Sequence, residues 1–464
     1  VISLDFEQLA KMVDGDLRQG LRPGSRFTGV STDSRTLSEG QLFFAIRGDN
    51  HDGHRFIDQA VERGAAGIVI DRDFAAANPM PSGCPSVVVA DSHASLLRLA
   101  ERFLAGLDLT RIGITGSNGK TTTKEFAFRL LETVTSRVYR SPGNYNNLFG
   151  VPLALFEMPE GTEIAVLEMG ISLPGEMERL ATVVRPNLIV VTNVGPTHLE
   201  FLGTVKNVAR EKLSAMKQAA PDGVLIVNGD DPLLVRTAVD LGLKPIRFAL
   251  DADADFRPDN ISVGINGTTV VTIEGHRFVL SLFGRYQISN LLAAYAAACT
   301  LGYSFEGVET EAIMLSTVAM RGEIINRGGI TFISDCYNAN PESVKAGLAT
   351  LAGRTFSGRL VLILGDMLEL GSDTARFHRE AGDNAAQLEP DLLIGVGPRA
   401  TQIVEGASSA GMTSDRLMHF DNAGEEAETI AALLEPGDTV YLKGSRGIGL
   451  EAILGRFAPD EGRA

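Results

Sequence analysis

Lys120 follows a turn of small residues, Gly116-Ser117-Asn118-Gly119, and precedes Thr121-Thr122. The turn is entered from the apolar run 112–114 with β-branched Thr115, and it leads into residues 125–131, whose apolar spacing is helical. A glycine turn between a strand and a helix aims backbone N–H groups and a helix N-terminus at phosphate. Lys120 adds a point charge, and the Thr121 hydroxyl can reach Mg2+. The longer phosphate-loop pattern requires glycine at 114, where this chain has Ile114. What is present is the shorter Gly116-x-x-Gly119-Lys120-Thr121. Taken alone, it could equally be a polar turn with a surface lysine.

Three more apolar runs place polar residues at comparable points. Ile164-Ala165-Val166-Leu167 ends in Glu168-Met169-Gly170, and Leu188-Ile189-Val190-Val191 leads through Thr192-Asn193-Val194-Gly195-Pro196-Thr197 to His198. Val224-Leu225-Ile226-Val227 ends in Asn228-Gly229-Asp230-Asp231. Continuous apolar runs of this length suit parallel strands covered on both faces. Open α/β sheets bind ligands at the carboxyl ends of such strands. Lys120, Glu168 and His198 are therefore expected at one edge of one sheet. Glu168 suits Mg2+, a hard cation that prefers carboxylate and phosphate oxygen. His198 reads as either a second metal ligand or a polar turn residue. The segment 141–152 holds three asparagines within four positions, Asn144, Asn146 and Asn147, in a loop of turn formers. Lys212 lies in the helical stretch 205–218 and reads, from its surroundings alone, as a solvated lysine.

The elements that must carry these residues divide the chain into three α/β parts, close to what about 150 residues per domain gives for 464. Residues 1–90 form a small domain of short strands and turns. Its polar loop, Ser31-Thr32-Asp33-Ser34-Arg35, could hold a diphosphate or a sugar. Residues 91–319 hold the phosphate loop and a parallel sheet. They end in a small antiparallel addition, marked by Asn266-Gly267 as a hairpin turn, and an alanine-rich helix opening at Asn290. Residues 320–464 alternate strands and helices again, which implies a second parallel sheet. Gly395-x-Gly397 lacks the third glycine of a dinucleotide fingerprint. Two α/β domains with polar strand ends suggest a cleft between them, closed by domain motion.

A net charge of −16 argues against a sequence-independent grip on nucleic acid. It leaves room for a small anionic substrate held by a local basic site. Cys84, Cys299 and Cys336 show neither metal spacing nor a disulfide framework, which favours a reducing cytoplasm. The first twenty residues are mixed and charged and do not read as a signal peptide. No apolar run is long enough to span a membrane, so insertion is not expected.

Taken together, the motifs resemble the Mur ligases, ATP-dependent amide-forming enzymes of peptidoglycan synthesis, along nearly the whole chain. The phosphate loop, Glu168-Met169-Gly170, His198, the Asn290 helix and the Asp335 loop fall in family order. Four segments resemble the branch that adds D-alanyl-D-alanine to UDP-N-acetylmuramoyl-tripeptide: residues 144–152, 335–341, Gly365-Asp366-Met367-Leu368-Glu369-Leu370-Gly371, and Lys443-Gly444-Ser445-Arg446. The Asp-Asn-Pro-Arg signature of the diaminopimelate-adding branch is absent.

The resemblance implies a central ATP-binding domain with a Rossmann-like C-terminal domain that completes the ATP and dipeptide site. In it Gly116, Ser117, Asn118, Gly119, Lys120, Thr121 and Thr122 would hold ATP phosphates. Thr121 and Glu168 would hold one Mg2+ and His198 a second. Lys212 falls where the family often carries a carbamylated lysine. Asn290 resembles an adenine contact, Asp335 a ribose contact, and Arg321 an arginine that reaches the phosphates when the C-terminal domain closes. Ser31, Thr32, Ser34 and Arg35 would lie on the UDP-sugar, and the Asn144, Asn146 and Asn147 loop would also bind substrate. The family often has His-Asn where this chain has Tyr286-Gln287, and Cys336 replaces a frequent serine. A cytoplasmic monomer acting on small molecules is implied. Two rival readings are a sibling or folylpolyglutamate synthetase-like ligase, and a nucleotide switch of the phosphate-loop class. The switch would need no amine acceptor.

Overall fold

Thr110–Thr115 is the hub of the central sheet, a six-stranded array in which every pairing is parallel. Across the sheet the strands run Ile246–Phe248, Val224–Asn228, Leu188–Val191, Thr110–Thr115, Ile164–Glu168 and Val138–Arg140. Residues 164–168 and 188–191 are buried throughout, as their unbroken apolar runs require. Full burial of each such Val, Leu or Ile contributes roughly 1.5–3 kcal/mol. The computed structural model describes residues 1–18, 25–48, 51–81, 83–263, 269–280, 283–313, 315 and 319–459.

Ile114 lies within the hub strand and is fully buried, and its carbonyl accepts the Met169 N–H at 2.8 Å. A glycine there would open the core beneath the loop. The strand runs on through Thr115 before the turn begins.

Two other sheets flank this one. The N-terminal sheet orders Asp16–Arg18, Ser86–Val89, Gly67–Asp71, Leu42–Phe44 and Val30–Ser31, with the first pairing antiparallel. The C-terminal sheet orders Glu323–Arg327, Ile330–Ser334, Thr439–Lys443, Leu360–Gly365, Leu392–Val396 and Leu417–Phe420, with only the first pairing antiparallel. The antiparallel addition is present as Asn260–Val263, Thr269–Ile273 and His276–Leu280. Asn266-Gly267 lies outside the described residues. Among the described residues no helix is long and apolar enough to cross a membrane.

One helix start is set by its cap, and another differs from the expectation. The helix entering the central domain runs Ser92–Ala105, because Asp91 caps it by accepting the Ala94 N–H at 2.8 Å. The alanine-rich helix runs Tyr286–Thr300, so Asn290 sits in its second turn rather than at its start. It begins just after Gly284, whose φ of +106° breaks the preceding chain.

Candidate active site

Gly116 and Gly119 shape the turn before the helix Lys120–Glu132. Gly119 has a φ of +82°, and a Cβ there would collide with Asn290 Oδ1. Gly116 has a φ of +150°, and a Cβ there would collide with Thr192 Oγ1. The turn is pinned to the next strand end: Ser117 N–H donates to Asn193 O at 3.0 Å and Asn118 N–H to Asn193 Oδ1 at 2.9 Å. Lys120 Nζ folds back to donate to Gly116 O at 2.7 Å. Burial holds its pKa below the usual lysine range; Glu168 opposes that shift and Arg321 adds to it.

Glu168 is buried at the end of its strand, with a partner for each oxygen. Thr121 Oγ1 donates to Oε2 at 2.8 Å and Asn146 Nδ2 to Oε1 at 2.8 Å. Lys124 stands 4.0 Å from Oε2 and donates to Ser141 O and Gly143 O at 2.8 and 2.9 Å. Sequence reasoning missed Lys124. The available signal was its spacing: it lies four residues after Lys120, on the same helix face.

A cleft of about 760 Å³ opens onto these groups and is lined from both the central and C-terminal sheets. Ser117, Asn118, Gly119, Lys120, Thr122, Asn146, Asn147, Glu168, His198, Asn290, Arg321 and Asp335 all line it. Gly116 and Thr121 form the loop behind this wall, and Asn144 is exposed on the asparagine loop. Asn290 supports the phosphate loop directly: its Oδ1 accepts from Thr123 Oγ1 at 3.3 Å and its Nδ2 donates to Gln287 Oε1 at 3.0 Å.

The C-terminal side supplies cations and a held carboxylate. The Arg321 guanidinium stacks 4.0 Å from the Tyr337 ring centroid, and its buried Nε has no hydrogen-bond partner among the described residues. Asp335 Oδ2 receives Lys443 Nζ at 3.0 Å and Tyr441 OH at 3.1 Å. Lys443 is itself buried and lines the cleft. It lay inside a segment quoted for its resemblance, without a chemical role. Glu369 is the third residue the sequence did not single out. Its Oε2 lies 2.5 Å from His198 Nδ1.

Lys212 corrects an expectation. It is buried at 1% exposure, not solvated. Burial, with Lys120 next in weight, pushes its pKa well below the usual range. Among the described residues its amine has no hydrogen bond or ion pair.

Ser31, Thr32, Ser34 and Arg35 do not line this cleft. They follow the edge strand Val30–Ser31 of the N-terminal sheet. Ser34 Oγ donates to Gln59 Oε1 at 2.7 Å, and Arg35 grips Asp33 at 2.7 Å. The Arg35 guanidinium holds the Asp33 carboxyl down at about 2.

The donor set fits a magnesium ion that takes most of its oxygens from phosphate and water. Among the described residues no three His, Cys, Asp or Glu side chains gather into an all-protein metal cage. One carboxylate, Glu168, with the Thr121 hydroxyl beside it, is the sparse protein share that Mg2+ uses at nucleotides.

Family profiles match the chain in three blocks: the Mur ligase family catalytic domain over residues 26–103, the Mur ligase middle domain over 114–298, and the Mur ligase glutamate ligase domain over 320–446. The UDP-N-acetylmuramoyl-tripeptide--D-alanyl-D-alanine ligase of Bacillus subtilis is 35% identical over 457 residues, 98% of each chain. The Escherichia coli protein of the same name is 30% identical, again over 98% of each. A crystal structure of MurF from Acinetobacter baumannii superposes with a TM-score of 0.86 at 26% identity, covering 98% of this chain and 99% of that one. MurF ligase from Thermotoga maritima in complex with ADP gives 0.78 at 29% identity, over 92% and 96%.

Proposed function

The chain belongs to the Mur ligase family, and from that premise we propose that it joins D-alanyl-D-alanine to UDP-N-acetylmuramoyl-tripeptide at the expense of ATP, releasing ADP and phosphate. One observation carries the reading. Lys120 and Arg321 approach one cleft from two domains, and among the described residues the buried Arg321 Nε has no hydrogen-bond partner, as an anion site between them requires. The full-length relatives supply the substrates, and the ADP complex of the Thermotoga maritima protein supports nucleotide in this cleft.

The phosphates of ATP would displace Gly116 O from Lys120 and take the amides at the start of the helix Lys120–Glu132, because Ser117 and Asn118 already donate theirs to Asn193. Thr121 and Glu168 would hold one Mg2+, and His198 a second. Bound there, the metal supplies charge neutralisation for the phosphoryl oxygens. The substrate carboxylate attacks the γ-phosphorus, and the bond to ADP breaks as Lys120 and Arg321 offset the developing charge. The amine of the dipeptide then attacks the acyl carbon. It loses a proton, phosphate leaves, and the amide remains. The C-terminal domain over the cleft excludes water that would hydrolyse the acyl phosphate.

Other placements belong to the same proposal. Asp335, held by Lys443 and Tyr441, suits a ribose hydroxyl, and Asn290 the adenine side of the loop. Residues 31–35 suit the UDP-sugar, and Asn144, Asn146 and Asn147 the acceptor peptide. Three domains, 1–90, 91–319 and 320–464, would carry UDP-sugar, ATP and the closing surface respectively, in a cytoplasmic monomer. The test is phosphate release with ATP and Mg2+, using tripeptides ending in lysine and in diaminopimelate. Release is expected only when tripeptide and D-alanyl-D-alanine are both present. Equal release with L-amino acids would assign the chain to another branch.

A further inference from the structure

The segment after the strand Leu360–Gly365 is fixed at every residue but one. The Asp366 carboxylate accepts the Arg399 N–H at 3.1 Å. Met367 N–H donates to buried His378 Nε2 at 3.0 Å, and Leu368 N–H to Ser445 Oγ at 3.1 Å. Leu370 is buried in the C-terminal core. Glu369 turns its side chain to His198 of the central domain.

This meeting is built from both sides. His198 and Glu369 are non-glycine residues at positive φ, 53° and 61°. Such backbone costs on the order of 1 kcal/mol or more and persists where the surroundings impose it. Beside them Gly371, at a φ of +59°, faces the Glu200 main chain, where an added Cβ would make ordinary contact. His198 Nδ1 is buried and makes no well-aligned hydrogen bond among the described residues; the group against it is the Glu369 carboxylate, at 2.5 Å.

A carboxylate at one imidazole nitrogen fixes the role of the other. With a proton on Nδ1 drawn to the facing Glu369 carboxylate, Nε2 keeps its lone pair. We propose that Glu369 is a positioning residue: it sets the ring and tautomer of His198 so that Nε2 ligates the nucleotide-bound cation. Because Glu369 belongs to the C-terminal domain, this ligand is set only when that domain is docked. Cation binding and domain docking thus reinforce each other. The inference rests on the proposed ATP ligase reading for the identity of the cation complex.

The test measures Mn2+ binding to the ADP-saturated protein by the electron paramagnetic resonance signal of free Mn2+. Glu369→Ala should weaken binding by about 10-fold or more, the range for losing such a supporting carboxylate. Glu369→Gln keeps an oxygen for Nδ1–H and should recover most of that loss. In the His198→Ala background Glu369→Ala should add less than about 2-fold, because its effect passes through the ring. Unchanged Mn2+ affinity in Glu369→Ala, or an equal loss with and without His198, overturns the proposal. Should Glu369→Ala not fold, Glu369→Asp, one methylene short of His198, takes its place with the same two outcomes. None of these readouts requires turnover. A wild-type protein that binds Mn2+ as described but fails the coupling assay would defeat the ligase reading and leave this inference standing.

Discussion

Asn118 and Asn340 lie 222 positions apart and exchange amide hydrogen bonds across the cleft, Asn340 Nδ2 to Asn118 Oδ1 at 2.7 Å and Asn118 Nδ2 to Asn340 Oδ1 at 3.3 Å. One partner sits in the phosphate loop. The other caps the helix Pro341–Ala352 by accepting the Ser343 N–H at 3.0 Å. Nucleotide binding and domain docking therefore share a pair of side chains.

Asn340→Asp separates these two jobs. Aspartate caps as well as asparagine, so the helix should keep its stability. The donor to Asn118 is lost, and a negative charge faces the phosphate loop. A lost net hydrogen bond of about 1 kcal/mol plus that repulsion predicts a KM for ATP raised roughly 10-fold. The melting temperature should hold. Steady-state kinetics with thermal unfolding checks both.

Lys124 is a structural cation, not a surface one. Lys124→Met keeps its volume but strips the donor from the Ser141 and Gly143 carbonyls and the positive charge from Glu168. The expected loss is about 1–3 kcal/mol of stability, from carbonyls left unpaired. Activity should fall further than stability does, because the Asn146 loop that holds Glu168 loosens with it. Denaturant unfolding and the coupling assay separate the two effects.

Strand-end chemistry was legible because parallel strands write themselves as unbroken apolar runs, and their polar residues follow at once. Lys120, Glu168 and His198 were placed this way. Cross-domain partners were not legible. Nothing local in Glu369 or Asn340 says that it meets His198 or Asn118, since those distances are set by how two domains dock. Burial misled at Lys212, where a charged side chain on a short amphipathic helix has the spacing of a solvated one. Residues 31–35 read as an isolated polar loop and remain apart from the cleft, because they belong to another sheet.

Gly119 meets two constraints, a left-handed backbone and the Asn290 side chain against it. Gly119→Ala should cost about 1–3 kcal/mol of backbone strain and contact together, and weaken ADP binding by 10-fold or more. Adding Asn290→Ala removes the collision but not the positive φ. The double variant should therefore regain only part of the lost stability relative to Asn290→Ala alone, by denaturant unfolding. Full recovery would mean that the collision alone required the glycine.

Lys212 makes an opposite demand on stability and on activity. Its folded pKa lies well below 10.5 through burial, then through Lys120. The native state therefore binds fewer protons than the unfolded chain between the depressed value and the ordinary one. Stability from this residue rises with pH across that window and is lowest below it. In CO2-depleted buffer at neutral pH, Lys212→Met should melt a few degrees higher than wild type, roughly 2–4 °C per kcal/mol recovered. The same depressed pKa enlarges the neutral, nucleophilic fraction of the amine available to CO2. Bicarbonate should then stabilise the wild type and raise its rate, since a carbamate pairs with Lys120, and should do neither for Lys212→Met. That variant should lose about 100-fold or more in kcat, the scale for removing a charged group from a preorganised site. A carbamate carbon signal from 13C-labelled bicarbonate, present in wild type and missing in Lys212→Met, would identify the species. A wild type indifferent to bicarbonate would show that buried Lys212 acts as the free amine.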